Sequence, residues 1–527
     1  MSLVRSLFDR LVATPWVLVL AVGLAFFWQL GSVPLYDLDE GAFTEATREM
    51  LASGNWITPQ MNGEPRYDKP ILIYWLQAAS ATALGFNEFA LRLPSALAAA
   101  LWVLVVWRFV RERLDPTAAT VAALAMVLSL QVSLIAKAAV ADALLNLFIA
   151  LTFFEIYRYW LAPRTAPLWR AYLWMALGFL TKGPVAIFFP VLVSLMFFWS
   201  TGHLERWWRA LFAPVGWLIF VAVAGPWYLA IFLDNGPGFF ASFFLDHNVG
   251  RFGDAMHGHG GFPGYYFVIL PLILLPFTGW FIRILPTLRH AWSDPLERFL
   301  WLWFGTVFVV FSFSGTKLPH YLLYGAVPLF ILMARHRELL VSRWLAYAPP
   351  IFFLVLLLWL PEIVALAAGQ AERAHEIALL GEGARVLDLG YRLAVIAGLL
   401  ATLGLALAAP VRPWQGLVLA GLIQTLVVYG ALVPRVFEVM QGPVKEAGLL
   451  ARELDRPTVV YRTSMPSFSV YRDAVTLKRP PEAGDLVFLR VDRLPSLIEG
   501  HPALTVTTLY QRGAVALVEL KAGAADG

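Results

Sequence analysis

Apolar segments of roughly 17 to 25 residues, the length that a helix needs to cross a bilayer, recur along most of the chain between short polar loops. Only helices and closed barrels satisfy the backbone hydrogen bonds within lipid. The pattern therefore predicts an α-helical polytopic membrane protein. Together with an anchor near 12–30, it gives about thirteen transmembrane helices, of which the others lie near 92–110, 117–135, 139–161, 170–183, 184–200, 211–233, 264–283, 297–313, 320–335, 344–367, 391–409 and 414–433.

A further apolar segment at 71–85 decides the topology. If it does not cross the membrane, the arginine-rich loops all lie on one side, which the positive-inside rule identifies as cytoplasmic. We therefore predict that 71–85 is an amphipathic helix on the outer surface, beginning after Pro70. A second amphipathic helix is predicted to begin at Asp39, to end at Gly54 and to lie along the membrane. Both helices belong to the first loop, 34–91, on the outer side.

The composition changes after residue 434. A helix is predicted at 443–454, and the apolar runs shorten to strand length at 458–461, 485–489 and 514–518. This pattern predicts a small soluble α/β domain over 435–527, which follows a transmembrane domain over 1–434. Because the predicted number of spans is odd, the C-terminal domain lies on the same side as the first loop.

The composition excludes several classes of function. The 527 residues are 59% hydrophobic and 14% charged, and the net charge of +4 comes from arginines in short loops. That distribution is a topology signal, so the lipid bilayer is an expected partner and nucleic acid is not. The chain has no cysteine, which excludes disulfides, thiol nucleophiles and cysteine-ligated metals. We expect a monomer.

The predicted topology collects unusual charged and polar residues on the outer side: Asp39, Glu40, Asp142, Lys69, Lys182, Arg251, Lys317 and Tyr321. Charged groups at the ends of membrane helices are costly, so they are functional candidates by default. Cations are rare on this side, and an anionic ligand at the membrane surface would explain them. Structural alternatives remain open. The cations could pair with nearby acids or lipid phosphates, Asp39 could cap its helix, and Asp142 could pair with Lys137.

Several motifs lie in this outer region. The first loop contains LYDLDEGAFTE (35–45), YDKPI (67–71) and FALRLPSA (89–96), and later segments contain TKGP (181–184), DHNVGRF (246–252) and SGTKLPHYL (314–322). These motifs resemble those of the bacterial ArnT-type and protein O-mannosyltransferase-like glycosyltransferases. Members of that superfamily have the GT-C fold and take sugars from polyprenyl phosphates. The likeness covers residues 12–335 by motif and the remainder by architecture.

The resemblance implies transfer of a sugar from a polyprenyl phosphate, such as undecaprenyl phosphate, to lipid A, another glycan or a protein. It places the enzyme in the bacterial cytoplasmic (inner) membrane with its active site facing the periplasm. It assigns catalytic carboxylates to Asp39 and Asp142, with Glu40 beside the first of them. The donor phosphate would be bound by Lys69, Arg251, Lys182, Lys317 and Tyr321.

Two departures from the family pattern affect these expectations. ArnT-type enzymes usually continue the acidic motif with Arg-Tyr, whereas this chain has Ala42 and Phe43. Asp68 stands where relatives commonly have Glu, and with Asp246 and His247 it forms a candidate divalent metal site. The alternative is a salt bridge and a surface histidine, so no cofactor is required.

A multi-span transporter or lipid flippase is the alternative function, because charged residues among many spans are normal there too. Transporters usually contain internal repeats and a polar site near the midplane of the membrane. Here no repeat is visible, and the candidate residues lie on one side. The sequence therefore favours an integral-membrane glycosyltransferase.

Overall fold

The structure, a computed structural model, describes residues 14–250, 262, 264–407 and 411–522 and is mostly helical. The first half contains α1 (Pro15–Val22), α2 (Asp39–Ser53), α3 (Leu72–Leu84), α4 (Glu88–Arg113), α5 (Pro116–Val127), α6 (Leu130–Ala136), α7 (Asp142–Leu161), α8 (Thr165–Lys182), α9 (Val185–Ser200), α10 (Leu204–Leu211), α11 (Pro214–Asn235) and α12 (Gly238–Phe240). Segments of π-helix follow α1 and α12, at Gly23–Phe27 and Ala241–Gly250. Two short strands, β1 (Gln60–Met61) and β2 (Glu64–Pro65), form a hairpin between α2 and α3.

The second half continues with α13 (Tyr265–Ile273), α14 (Thr278–Ile284), α15 (Pro295–Ser312), α16 (Val327–Arg335), α17 (Arg343–Leu358), α18 (Leu360–Gln370), α19 (Ala374–Val386), α20 (Leu389–Leu407), α21 (Pro413–Val427), α22 (Val433–Met440) and α23 (Gly442–Leu454). Turns of 3-10 helix lie at Leu285–Ser293, Pro319–Gly325 and Arg337–Leu339, and a π-helical turn at Val428–Leu432 joins α21 to α22.

The described residues contain six helices that are long and apolar enough to cross a membrane: α4, α7, α11, α15, α20 and the continuous Pro413–Met440. Three bent pairs, α5 with α6, α13 with Thr278–Ser293, and α17 with α18, raise the number to nine if each pair is one span. The chain is thus an integral membrane protein with multiple spans.

The predicted number of about thirteen spans is not confirmed. The four predicted spans without such a helix are 12–30, 170–183, 184–200 and 320–335. The helices of two of them are short, at Trp16–Phe27 and Val185–Ser200. A 3-10 turn precedes the short α16 in 320–335. Helix α8, which covers 170–183, has 18 residues but is less apolar than the six long helices.

The two helices predicted in the first loop are present. Helix α2 begins at Asp39, and Gly54 follows its last residue with a left-handed φ of 70°. The polar side of α2 does not face solvent, because residues 40 to 50 are all buried. Its position along the membrane stays a prediction. Protein partners replace water on its polar side. Glu45 pairs with Arg48 at 2.7 Å, and the Thr47 hydroxyl donates to the Gln77 side chain at 2.8 Å.

The C-terminal residues form a four-stranded sheet of β3 (Thr458–Tyr461), β4 (Leu486–Arg490), β5 (Leu504–Arg512) and β6 (Val515–Ala522) in the order β3-β4-β6-β5. Strands β3 and β4 are parallel and the other pairs are antiparallel. Helices α24 (Ser467–Arg472) and α25 (Leu494–Gly500) follow β3 and β4. The predicted helix and three strands are present. Strand β5 was not predicted, since it is an exposed edge strand rich in threonine. The boundary at residue 434 stays a prediction.

Candidate active site

A cavity of about 370 Å³ lies where the first loop meets the ends of several long helices. Its polar lining includes Gln29, Tyr36, Asp39, Glu40, Arg92, Gln131, Lys137, Asp142 and His320, and its apolar lining includes Leu30, Val33, Leu134, Ile135, Val140, Val433 and Phe437. A concave site with a mainly apolar wall and a few polar groups is typical of a ligand pocket. The cavity brings together all three predicted catalytic carboxylates.

Asp39 is the first residue of α2, and its side chain is exposed towards this cavity. Leu38 occupies the N-cap position, and no side chain caps the helix. The alternative that Asp39 is a helix cap is therefore wrong. Within the described part of the chain, Asp39 forms no hydrogen bond or ion pair, although its charge acts on Arg66 and His320 nearby. The Asp39 carboxylate therefore faces the cavity without a hydrogen-bonding or ionic partner among the described residues.

Glu40 is the next residue, and its carboxylate is buried and fully engaged. The Arg92 guanidinium donates to both of its oxygens, at 2.8 and 2.7 Å. Backbone N–H groups of Tyr36 and Ala139 donate to the same carboxylate at 2.8 and 2.7 Å. Arg92 also donates to the carbonyl oxygens of residues 30, 33 and 34, so the pair joins the first loop to α4. The catalytic role of Glu40 stays a prediction, but these contacts also make it a structural residue.

Asp142 begins α7, lines the same cavity and is buried. Its Oδ1 accepts from Lys182 at 2.7 Å and from the Tyr324 hydroxyl at 3.1 Å, and the His320 Nε2 lies 3.8 Å away. Lys182 also donates to Tyr324 at 2.9 Å. The structural alternative for Asp142, an ion pair with Lys137, is wrong, because its cationic partner is Lys182. This network holds a carboxylate, an ammonium group and an imidazole together beside the cavity.

Lys69 belongs to a second charged cluster, which α3 and the β1–β2 hairpin place near Asp39. Its Nζ donates to the carbonyl oxygen of Asp68 at 3.0 Å, and its charge acts on His320. Asp68 forms an ion pair with Arg66 at 3.2 Å, and Arg66 also donates to the Tyr74 hydroxyl at 2.5 Å. Lys69 and Asp39 thus both lie close enough to the His320 imidazole to interact with it electrostatically.

Comparison with known proteins shows what this chain is similar to. A family model described as dolichyl-phosphate-mannose-protein mannosyltransferase matches residues 68–229. An undecaprenyl phosphate-alpha-4-amino-4-deoxy-L-arabinose arabinosyl transferase from Edwardsiella ictaluri is 32% identical over 59% of this chain and 56% of its own length. An uncharacterized protein from Aquifex aeolicus is 30% identical over 63% of this chain and 74% of its own length. The crystal structure of ArnT from Cupriavidus metallidurans bound to undecaprenyl phosphate superposes with a TM-score of 0.79, 19% identity and coverage of 95% and 97%. The chain belongs to the ArnT-type family of GT-C glycosyltransferases.

The match spans little more than half the length of the named arabinosyl transferases, 56% of the Edwardsiella ictaluri protein and 57% of one from Shewanella sediminis. The structural likeness extends over almost the whole chain and shows the fold. Family membership and GT-C fold, both predicted from the motifs, are thus confirmed.

The structure shows what surrounds Ala42 and Phe43, which stand where ArnT-type enzymes usually have Arg-Tyr. Phe43 stands where the family usually has Tyr, and the Arg66 guanidinium lies 5.0 Å from the centroid of its ring. Phe43 also packs against Tyr74, with centroids 5.5 Å apart. Arg66 therefore supplies a cation near Asp39 from another part of the first loop, where the motif itself has Ala42.

The structure describes some of the other predicted residues of this ArnT-type site and not others. Tyr321 is buried, and the Lys182 ammonium lies 5.6 Å from its ring centroid. Lys317 donates to the Ser314 carbonyl at 2.7 Å and is not in the cavity lining. Their phosphate-binding roles stay predictions. Arg251 lies outside the described residues, as do the side chains of Asp246 and His247.

Of the three predicted metal ligands, Asp68, Asp246 and His247, the structure therefore describes only the side chain of Asp68. Among the side chains that the structure describes, no group of three or more His, Asp or Glu could hold a metal ion. Asp68 contacts Arg66 instead, as the salt-bridge alternative expects. The divalent metal stays a prediction.

Four residues of the site were absent from the predicted set: Arg66, Arg92, His320 and Tyr324. Each lies within or beside one of the motifs that resemble the family. Its closeness to a motif residue was therefore the sequence feature that could have identified it as a site residue. Their role depends on partners far away in the chain. Tyr324 is 182 positions from Asp142, and Arg92 is 52 from Glu40.

The C-terminal region contacts the same loop through α24. Asp37 Oδ1 accepts the Ser467 N–H at 3.0 Å, and its Oδ2 accepts the Ser467 hydroxyl. The Leu35 N–H donates to the Tyr471 hydroxyl at 2.7 Å. A Cβ at Gly41 would lie 2.0 Å from Asp37 Oδ1, so glycine is needed for this close approach. These contacts anchor the segment that leads directly into Asp39.

We expect this contact to depend on pH. Burial raises the pKa of Asp37 to about 7, although the hydrogen bonds from Ser467 oppose the shift. The folded protein then binds a proton that the unfolded chain has released, so this contribution to stability is complete at acidic pH and is lost as pH rises to about 7. When the pH rises from about 5 to about 8, the thermal stability of Asp37→Asn should therefore fall less than that of the wild type. The pKa of Glu45, also raised to about 7 by burial, will leave a residual dependence.

Asp455→Asn is the matched control, because Asp455 is exposed and asparagine tolerates its left-handed backbone. It should retain the wild-type pH dependence. An equal slope in wild type and Asp37→Asn would contradict the assignment to Asp37. Hydrogen exchange at residues 35–41 and 467–472 locates the change at the contact.

Proposed function

We propose that this chain transfers a sugar from a polyprenyl phosphate, such as undecaprenyl phosphate, to an acceptor at the membrane surface. The observation that supports this most directly is the unengaged Asp39 carboxylate, which faces a cavity beside the Asp142–Lys182 pair. The relatives named as undecaprenyl phosphate-dependent arabinosyl transferases support the same donor chemistry. Lipid A, another envelope glycan and a protein are the candidate acceptors.

The reaction assigns separate roles to Asp39 and to the cations of the site. An acceptor oxygen forms a bond to the anomeric carbon while the bond from that carbon to the phosphate oxygen breaks. Asp39 orients the acceptor hydroxyl and receives its proton, as a general base within reach of the reacting oxygen. The leaving phosphate keeps the bonding electron pair, and nearby cations stabilise that charge.

Lys69 and Arg251 are the proposed contacts to the leaving phosphate, with Lys182, Lys317 and Tyr321 as further contacts. Lysine offers a point charge, whereas arginine can bind phosphate through two parallel hydrogen bonds. Asp142 holds Lys182 at 2.7 Å and so positions this ammonium. The apolar wall around Leu134, Val433 and Phe437 suits a hydrocarbon chain.

The finer architecture belongs to the same proposal. About thirteen spans would place the first loop and residues 435–527 on the periplasmic side of a bacterial inner membrane, where a lipid-linked donor and an envelope acceptor can meet. A divalent ion at Asp68, Asp246 and His247 is a further element that the proposed chemistry does not require.

Mass spectrometry of cells with and without the chain tests the function. We expect deletion to remove one glycan modification from lipid A, an envelope glycan or a protein, and to cause one polyprenyl-phosphate sugar to accumulate. Wild-type chain should restore the product, and Asp39→Asn should not. Unchanged products and donors in all strains would refute a transferase. Restoration by Asp39→Asn would favour the transporter or flippase.

Lys69→Ala should weaken binding of undecaprenyl phosphate, the released carrier, by about tenfold to a hundredfold, because a charge-assisted contact is lost. The measurement is a titration of purified protein in nanodiscs. Asp39→Asn should change this affinity little, since its role is in the transfer step. Lys478→Ala is the matched control: this lysine is exposed and pairs with Glu64 at 3.6 Å. Wild-type affinity in Lys69→Ala would remove Lys69 from the phosphate site.

A further inference from the structure

Lys137 follows the last residue of α6 and lines the cavity. Its Nζ donates to the Trp28 carbonyl oxygen and lies 4.4 Å from the centroid of the Tyr429 ring. Both partners are uncharged. Within the described residues, no carboxylate forms an ion pair with this ammonium group. Lys137 is thus a partly buried cation with neutral contacts.

Two other cations of the site, Arg92 and Lys182, differ in this respect. Glu40 neutralises Arg92 at 2.7 Å, and Asp142 neutralises Lys182 at 2.7 Å. A buried charge is costly unless an opposite charge and hydrogen bonds compensate it. An ammonium group has three N–H donors, of which the Trp28 carbonyl accepts one. Lys137 therefore retains positive charge and hydrogen-bonding capacity for a ligand.

The residues around Lys137 indicate which chemical groups such a ligand contains. The side chains of Gln29 and Gln131 line the same cavity, and their amide groups can donate hydrogen bonds. Leu134 and Val433 supply apolar surface beside them. An ammonium and amide donors next to an apolar wall suit an anionic group on an amphiphilic molecule.

We propose that Lys137 is a specificity-determining residue, whose ammonium group binds a phosphate or a carboxylate on the substrate that fills the cavity. The proposal rests on the proposed function, because that substrate also presents its reacting atoms to Asp39. The same positive charge disfavours a substrate with a protonated amino group at this position. Lys137 thus selects for an acidic sugar on the donor or a phosphorylated acceptor.

Binding to the purified full-length protein in nanodiscs distinguishes these two sources. One pair of probes is bisphosphorylated lipid A and phosphatase-treated lipid A, which reports on the acceptor. The other is undecaprenyl-phosphate glucuronic acid and undecaprenyl-phosphate glucose, which reports on the donor. Both lipids of the second pair carry the carrier phosphate, so their difference isolates the sugar carboxylate. Wild type, Lys137→Gln and Lys137→Arg are compared.

We expect wild type to bind the charged member of one pair about tenfold to a hundredfold more tightly than its neutral partner. Lys137→Gln should abolish this preference and Lys137→Arg should retain it. Glutamine can still donate to the Trp28 carbonyl, which favours a folded variant. Lys521→Gln is the matched control, because Lys521 is exposed at the end of β6 and pairs with Glu519 at 3.1 Å.

Absence of a preference in both pairs, or its persistence in Lys137→Gln, would overturn the proposal. Failure of the proposed function has a different signature. In that case the deletion experiment shows no lost product and no accumulated donor, whether or not Lys137 selects between the probes.

Discussion

Asp39→Asn is expected to reduce sugar transfer by roughly 100-fold to 10,000-fold, the usual cost of losing a general base. The change preserves the size of the side chain and removes its charge and basicity. Because Asp39 neither caps α2 nor pairs with a described residue, folding and thermal stability should be nearly unchanged. The measurement is turnover by purified protein with the donor and acceptor that mass spectrometry identifies.

Asp455→Asn supplies the control for this experiment, since the same chemical change is made at an exposed position outside the cavity. It should retain wild-type turnover. Near-normal turnover by Asp39→Asn would show that the carboxylate is dispensable. A large loss of stability in that variant would show that it has an unrecognised structural partner.

Glu40→Leu should destabilise the folded protein by about 3 to 5 kcal/mol, because removing one member of a buried ion pair leaves the other charge uncompensated. Arg92 would remain buried, and the Tyr36 and Ala139 N–H groups would lose their acceptor. Unfolding of purified protein in detergent measures the loss. Replacing both charges, with Glu40→Leu and Arg92→Met, should recover part of the stability but not the backbone contacts.

Glu40→Gln separates the structural role from the predicted catalytic one. It retains size and an oxygen acceptor but loses the charge that Arg92 requires, so we expect reduced stability. Glu64→Gln, at an exposed residue of β2, should leave stability unchanged. A stable Glu40→Gln protein with greatly reduced turnover would instead assign Glu40 to catalysis.

The local pattern of residues was sufficient to predict much of the architecture. Runs of apolar residues report burial in lipid wherever a span is long and continuous, as in α4 and α11. Gly54 marks the end of α2 because glycine readily adopts the left-handed conformation seen there. The motifs at 35–45 and 67–71 led to the family because they combine residues that are adjacent in the chain.

Tertiary structure decided the partners of the charged residues. Asp142 lies 40 positions from Lys182, and Asp37 lies 430 from Ser467, so no local period connects them. For the same reason, no local pattern predicts that Asp39 and Glu40 have different surroundings. The two acids are adjacent, yet α2 directs one into the cavity and buries the other against Arg92. Composition and periodicity determine which segments enter the membrane, whereas only the packing of distant helices determines which charges are neutralised and which remain available for chemistry.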